Sequence, residues 1–291
     1  MCHSSRAPTT VPRSSPEPCV TERTRHKQSV RKAFDRAAES YDSAAAVQRE
    51  ICHRLAALSS AQRPATPVRR VLDAGCGTGY GLHLLAGEYP DAELIALDFA
   101  PAMLARVTSA AEGHRAIVPL CADLEALPLA SGAIDAIWSS LALQWCDPSL
   151  TLAELARVLR PGGIAWIATL GPRTLWELRE AFATVDQAEH VIRFHPAEQW
   201  IEHARRAGFS LRSQDQRPAF ALAADLRSLL RDIKAIGAHH VGEERRRQPL
   251  GRAAWRALEA CYEAHRRDDG MFPATYDLIL LALKKPETAN D

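Results

Sequence analysis

The chain has 291 residues, 47% of them apolar, which suffices for a packed core and excludes a wholly disordered protein. Its 36 basic and 35 acidic residues leave a formal net charge of +1, so no strong overall field favours nucleic acid or an anionic membrane as a partner. Every apolar run is shorter than the roughly 18–20 residues of a membrane span, which excludes a transmembrane role.

The seven cysteines are scattered singly, without a CxxC pair or the histidine spacing of a zinc site, so we predict no metal. Their odd number favours reduced thiols and a cytoplasmic location. Residues 1–27 are rich in proline, serine, threonine and arginine and lack the apolar stretch of a secretory signal. We interpret 1–27 as a disordered tail, 286–291 as a second tail, and 28–285 as one domain.

The predicted elements begin with an amphipathic helix from about Ser29 to Tyr41, within an N-terminal helical arm over residues 28–60. Short apolar strands then alternate with helices: strands at 71–73, 93–97, 117–121, 134–139 and 164–170, and helices from about 79, from 101 and at 150–159. The C-terminal part continues with helices at about 174–185, 196–207, 223–236 and 252–266, and with strands near 209–213 and 276–284.

Short apolar strands that alternate with helices predict a parallel sheet covered on both faces. We therefore expect an α/β protein with a doubly wound, mostly parallel sheet of seven strands. Its core would span residues 68–170, and the segments 174–195 and 223–267 would form a helical lid.

The most informative stretch is the loop Asp73-Ala74-Gly75-Cys76-Gly77-Thr78-Gly79, between the first strand and the next helix. Glycines at this point let the backbone turn sharply and approach a ligand, although glycines also make ordinary tight turns. A dinucleotide site needs G-x-G-x-x-G/A, and here the third small position is occupied by Tyr80 or Leu82. The spacing therefore disfavours a nicotinamide cofactor and suits a ligand with a small zwitterionic amino-acid end.

Over residues 68–170 the sequence resembles the class I S-adenosylmethionine-dependent methyltransferases, which have a Rossmann-like fold. The resemblance implies S-adenosylmethionine as co-substrate. It assigns the loop of Asp73, Gly75, Gly77 and Gly79 to the methionine part, and Asp98, at the end of Leu94-Ile95-Ala96-Leu97-Asp98, to both ribose hydroxyls. It further implies that Met103 packs on the adenine ring and that Asp123, beside Leu124, accepts from the exocyclic amine.

Two of these residues have plainer interpretations. Asp98 alone could be the N-cap of the following helix, and Met103 could be an ordinary core methionine.

A second resemblance covers nearly all of residues 29–285. The malonyl-acyl-carrier-protein O-methyltransferases of biotin synthesis are similar in five segments: Ala33 to Asp42 with Val47-Gln48-Arg49, Leu143 to Cys146, Ile192 to Pro196, Ile233 to His240, and Pro273 to Tyr276. It implies methyl transfer to the free carboxylate of a malonyl thioester on an acyl carrier protein. A carboxylate has a pKa near 4 and is ionised at pH 7, so this reaction needs no general base and no metal.

The reacting carboxylate needs donors that fix it in place, and five side chains are candidates. Gln144 would project at the carboxyl edge of the sheet, and Tyr41 on the arm could close over the cofactor, or simply pack. Arg193 could bind the carboxylate through two parallel hydrogen bonds or be an ordinary surface charge. Lys234 and His240 lie in the segment that is most specific to this family. Trp145 could wall the pocket or belong to the core.

Residues 190–267 carry fifteen basic and nine acidic side chains, a net +6 that suits docking of an acidic carrier protein but is also compatible with an ordinary helix surface. Two other functions remain open: methylation of another small carboxylate or a quinone precursor, and a regulatory protein that binds the cofactor without turnover.

Overall fold

The computed structural model describes residues 18–107, 117–236 and 250–287. Its centre is a seven-stranded sheet with the order β3-β2-β1-β4-β5-β7-β6. All neighbouring strands run parallel except β7, which is antiparallel to both β5 and β6. The strands are β1 Arg70–Ala74, β2 Glu93–Asp98, β3 Ile117–Cys121, β4 Ile134–Ser140, β5 Leu159–Leu170, β6 Ser210–Ala223 and β7 Phe272–Lys284. The predicted doubly wound α/β class with a mostly parallel sheet is confirmed.

Helices connect the strands and cover both faces of the sheet. In chain order they are α1 Pro18–Ala37, α2 Tyr41–Ala44, α3 Ala46–Ala61, α4 Tyr80–Glu88, α5 Pro101–Leu104, α6 Pro148–Val158, α7 Trp176–Ala183, α8 Ala197–Arg206, α9 Leu226–Ala235 and α10 Arg252–Glu263, with a 3-10 turn at Leu143–Trp145.

The five inner strands, β1, β2, β4, β5 and β7, are apolar on both sides because both of their faces are buried. Successive residues point to opposite faces, so Val71 and Trp166 enter one core, which also holds residues of α3 and α4. Their neighbours Leu72 and Ile167 enter a second core with residues of α6 and α8. This two-sided burial explains why the strands appear in the sequence as short, continuous apolar runs.

The segments that follow β1, β2 and β4 lie together at the carboxyl edge of the sheet, because these neighbouring strands are parallel. The glycine loop follows β1, Asp98 closes β2, and the turn beginning at Leu141 follows β4. In doubly wound sheets ligands bind at this edge, so the fold brings the predicted cofactor residues together there.

The structure corrects two boundaries. Strand β6 continues to Ala223 instead of ending near 213, because it pairs with β7 from Ser210 to Ala223. It is an edge strand with alternating exposed polar residues, and an edge strand tolerates Pro218. Helix α1 begins at Pro18, so residues 18–27 are helical and do not belong to a disordered tail.

Within residues 18–107, 117–236 and 250–287, no helix has the length and apolar character of a membrane span. The same residues contain no cluster of three or more His, Cys, Asp or Glu side chains placed to bind a metal ion.

Candidate active site

The glycine loop is held close to the sheet by its backbone. Gly75, Gly77 and Gly79 have φ values of 85°, 55° and 95°, in the left-handed region that favours glycine. The N–H groups of Gly75 and Cys76 both donate to the carbonyl of Leu97 at 2.8 Å. A Cβ at Gly75 would lie 2.2 Å from the Cβ of Ala142, whereas one at Gly77 would meet no atom within 4 Å. The loop therefore packs tightly at Gly75 and leaves open space for a ligand at Gly77.

Asp98 fixes this loop from the neighbouring strand. Its Oδ2 accepts from the N–H of Gly77 at 3.0 Å and its Oδ1 from the N–H of Ala100 at 2.8 Å. Burial raises the pKa of Asp98 to about 6, although these hydrogen bonds oppose the increase. The N-cap residue of α5 is Ala100, so Asp98 does not occupy the N-cap position. Its remaining lone pairs are available to a ligand's hydroxyl groups.

A cavity lies between the loop, Asp98 and helix α1. Six of the predicted cofactor residues line it: Gly75, Gly77, Asp98, Met103, Asp123 and Leu124. Met103 is 1% exposed and presents an apolar surface. The cavity thus combines glycine backbone and a carboxylate with apolar walls, which fits a nucleoside carrying an amino-acid end.

Asp73 and Gly79 are not among the described residues that line this cavity. Gly79 donates its N–H to Cys76 and begins helix α4. Asp73 is buried beneath the loop, and its Oδ2 has no hydrogen-bond partner within the described part of the chain. Burial, together with the nearby carboxylate of Asp98, raises the pKa of Asp73 to about 8. The structure buries Asp73 outside the described lining of this cavity, and its predicted contact with the cofactor stays a prediction.

We expect this buried carboxyl to make stability depend on pH. The pKa of Asp73 rises from 3.8 to about 8 on folding, so the folded chain holds a proton that the unfolded chain releases above about pH 4. The stabilisation from this group is complete below pH 4 and is lost as the pH rises toward 8. Thermal melts of the wild type and of Asp73→Asn, which stays neutral, should show the wild type losing stability relative to the variant between about pH 5 and 8. A constant difference across this range would contradict the raised pKa.

The N-terminal arm closes the cavity from the solvent side. Lys27, Val30 and Phe34 of α1 line it. Lys27 forms ion pairs with Asp123 and Glu125, and Arg23 also pairs with Glu125.

The arm also forms hydrogen bonds with the elements around this first cavity. The hydroxyl of Thr78 in the glycine loop donates to Asp42 at 2.6 Å, and the N–H of Ala102 donates to Asp35 at 3.1 Å. One oxygen of Asp123 faces Lys27 and the other accepts from the N–H of Glu125. A contact of Asp123 with an adenine amine would therefore use its remaining lone pairs.

A second cavity, of about 1000 Å³, adjoins the first, and we call it the cleft. Both cavities are lined by Phe34, Tyr41, Leu141 and Trp145. Segments of the predicted lid enclose the cleft, with side chains from residues 174–194 and 230–236. The rings of Trp145 and Phe34 meet edge to face at 5.6 Å, so Trp145 serves as a wall of both cavities.

Of the predicted substrate residues, Tyr41 and Gln144 reach the cleft. Burial, with Cys52 and Asp98 nearby, raises the pKa of Tyr41, which keeps its hydroxyl protonated as a donor. The amide of Gln144 donates to the carbonyl of Leu141 at 2.6 Å, and its Oε1 is buried without a partner in the described structure. Leu141 has a φ of 56°, a strained conformation for leucine that is common at functional sites. Gln144 therefore stabilises the strained turn where the cavities meet.

The structure does not bring Arg193 or Lys234 into the cleft. Arg193 is 89% exposed and pairs with Glu189, because its neighbours Ile192 and Phe194 take the cleft side of the chain. Lys234 is exposed since the apolar stripe of α9, which includes Ile233, faces the protein. His240 lies outside the described residues.

Sequence reasoning missed Lys27, Gln48, His190 and Tyr276 as lining residues. Lys27 fell within the segment interpreted as a tail. Gln48 and Tyr276 occur in segments that carry the second resemblance but were given no role there. Gln48 and Tyr276 are polar residues at positions that are otherwise apolar and buried. A polar residue on an apolar face is the sequence signal that could have identified them.

Comparison with known proteins agrees with this geometry. Residues 72–167 match the model of the family described as "Methyltransferase domain". A malonyl-[acyl-carrier protein] O-methyltransferase from Laribacter hongkongensis is 47% identical over 87% of this chain and 87% of its own length. The biotin biosynthesis bifunctional protein BioHC of Cellvibrio japonicus is 39% identical over 89% of this chain, which covers 50% of that protein.

Among solved structures, the YcgJ protein from Bacillus subtilis shares the fold, with a TM-score of 0.57 at 17% identity over 81% of this chain and 100% of that one. Identity of 47% over 87% of both chains establishes the family. The chain belongs to the malonyl-[acyl-carrier protein] O-methyltransferases.

Proposed function

We propose that this protein transfers the methyl group of S-adenosylmethionine to the free carboxylate of a malonyl group on an acyl carrier protein, which gives the malonyl methyl ester that starts pimeloyl synthesis in biotin formation. The observation that carries the proposal is the junction of two cavities at Phe34, Tyr41, Leu141 and Trp145. One cavity has the lining of a nucleoside site. The other is an adjoining cleft with a mostly apolar lining, where the malonyl thioester would bind.

The residues of the first cavity fit S-adenosylmethionine, which supplies an electrophilic methyl group on a sulfonium. Asp98 would accept from the ribose hydroxyls, with the loop backbone at Gly75 and Gly77 beside the methionine end. Met103 and Leu124 would pack against the adenine, and Asp123 would accept from its amine. The arm, tied down through Lys27 and Asp42, would keep water out.

The reaction in the cleft requires placement of the carboxylate more than proton transfer. The substrate carboxylate is ionised at neutral pH, so no residue has to remove a proton from it. Placement of reacting atoms can supply about 7–11 kcal/mol of the barrier reduction. Phe34, Leu141 and Trp145 provide apolar walls at the junction, and Tyr41 provides a hydroxyl donor there.

The absence of a required base predicts a flat pH profile. At saturating substrates, kcat should stay constant within about twofold between about pH 6 and 8.5, because the carboxylate remains ionised and the Tyr41 hydroxyl remains protonated. Initial rates in overlapping buffers measure this. A tenfold rise per pH unit within that interval would mean that a titrating base limits the rate, and would favour a phenol or carbon substrate.

The carrier protein is the proposed partner, and the cytoplasm the proposed location. Carrier proteins are acidic, and residues 190–267 carry a net charge of +6. Arg245, Arg246 and Arg247, a basic run suited to docking, lie outside the described residues. Comparison of kcat/KM for malonyl carrier, malonyl coenzyme A and free malonate tests this proposal. Preference for the carrier that disappears at high salt supports charge-guided docking, and equal use of all three contradicts it.

A further inference from the structure

The cleft offers a carboxylate no free cationic side chain among the described residues that line it. Within the described lining the one basic residue is His190, whose Nε2 lies 2.7 Å from Asp186 and whose ring stacks on Phe182 with 3.9 Å between the ring centroids. Arg193 and Lys234 point away from it. The described lining of the cleft therefore offers an ionised substrate neutral donors.

Neutral donors converge at one end of the cleft. Tyr276 of β7 is 4% exposed and lines the cleft together with Gln48 of α3, whose side chain lies near the Tyr276 hydroxyl. Gln48 is 9% exposed, and its Oε1 has no partner within residues 18–107, 117–236 and 250–287. Tyr276 also lies close enough to Tyr41 to contribute to the raised pKa of the Tyr41 hydroxyl. Three elements thus bring two phenols and an amide to the lining of the cleft, and Tyr41 also lines the first cavity.

We infer that Tyr276, positioned by Gln48, acts with Tyr41 as the binding site for the reacting carboxylate of the substrate. The inference rests on the proposed function and adds the residues that select an acid over a neutral acyl group. Burial raises the pKa of Tyr276 to about 12, so both phenols remain protonated and can donate. Burial of the Tyr276 hydroxyl and the Gln48 amide would cost free energy if the cleft bound only hydrocarbon, because the substrate would then offer them no hydrogen-bond partner.

Neutral donors also suit the chemistry. One carboxylate oxygen forms a bond to the methyl carbon as the carbon–sulfur bond breaks and its electron pair remains on sulfur, with no proton transferred. The negative charge of the carboxylate disappears in this step, so a cation that binds the charge stabilises the ground state more than the transition state. Phenol and amide donors also orient the carboxylate, but because they are neutral they stabilise the charged ground state less than a cation does.

The test is the kinetics of Tyr276→Phe with malonyl carrier protein. We expect the KM to rise about tenfold or more through loss of a hydrogen bond to a charged group, with kcat changed less than about threefold. The affinity for S-adenosylmethionine should not change. The inhibition constant of the carrier bearing the methyl ester should change less than about threefold, because the ester carries no charge. Gln48→Glu, which adds a negative charge beside Tyr276, should raise the KM in the same selective way.

The matched control is Tyr89→Phe. Tyr89 is also partly buried against an aromatic ring, and its hydroxyl has no partner in the described structure, but it lines neither cavity. Its kinetics should equal those of the wild type. A wild-type KM in Tyr276→Phe, or an equal loss for the acid and its ester, overturns the inference. Absence of any methyl transfer by the wild type would instead overturn the proposed function.

Discussion

Replacement of Asp98 by alanine should weaken binding of S-adenosylmethionine about a hundredfold or more. Each hydrogen bond to a charged acceptor contributes about 1.5–3 kcal/mol, and two ribose hydroxyls would lose theirs. The substitution also removes the acceptor for the N–H of Gly77 and so loosens the loop. Isothermal titration calorimetry with S-adenosylmethionine measures the effect.

The control for this prediction is Asp91→Ala, which removes an exposed carboxylate just before the same strand. It should leave the affinity unchanged. The affinity of Asp98→Asn, which keeps one acceptor oxygen, should lie between those of Asp91→Ala and Asp98→Ala. If Asp98→Ala bound the cofactor as tightly as the wild type, the assignment of the ribose to Asp98 would be wrong.

Substitution of Gly75 by alanine should impair both folding and cofactor binding. The new Cβ would lie 2.2 Å from the Cβ of Ala142, and Gly75 has a φ of 85°. Overpacking of about 1–3 kcal/mol and backbone strain of about 1–3 kcal/mol should lower the free energy of unfolding. The displaced loop should also bind the cofactor at least about tenfold more weakly, since the cavity begins at this residue.

Gly87→Ala is the matched control in the same region. A Cβ at Gly87 meets no atom within 4 Å, and Gly87 lies in helix α4, so alanine should stabilise the chain by up to about 1 kcal/mol. Denaturant unfolding measures the change in the free energy of unfolding of both variants, and calorimetry measures the change in their affinity for the cofactor. Wild-type stability and affinity in Gly75→Ala would show that the loop can shift without cost and would refute the close packing at Ala142.

The sequence predicts those parts of the fold that depend on local patterns. Strand β3 occupies Ile117–Cys121 as predicted, because apolar runs bounded by turns are local signals. The glycine spacing likewise indicates the cofactor loop, since positive φ values are needed at Gly75, Gly77 and Gly79. The polar edge strand β6 lacks such a signal, and its length depends on pairing with β7.

The substrate residues depend on distant contacts and were harder to predict. Arg193 and Lys234 have suitable chemistry but fall on solvent-facing positions, which depend on how Phe194 and Ile233 pack. Tyr276 becomes a candidate only when β7 is placed beside α3 and the arm. The start of α1 at Pro18 was missed for the same reason, because Arg23 and Lys27 pair with residues about a hundred positions away.

The most direct test of the central claim is identification of the product. Purified protein, S-adenosylmethionine and malonyl carrier protein are incubated, and the carrier is analysed by intact mass spectrometry before and after mild alkaline hydrolysis. We predict a carrier heavier by one methyl group in place of a proton, and its return to the malonyl form after hydrolysis of the ester. A methylated carrier that resists hydrolysis, or no change in mass, would contradict carboxyl methylation.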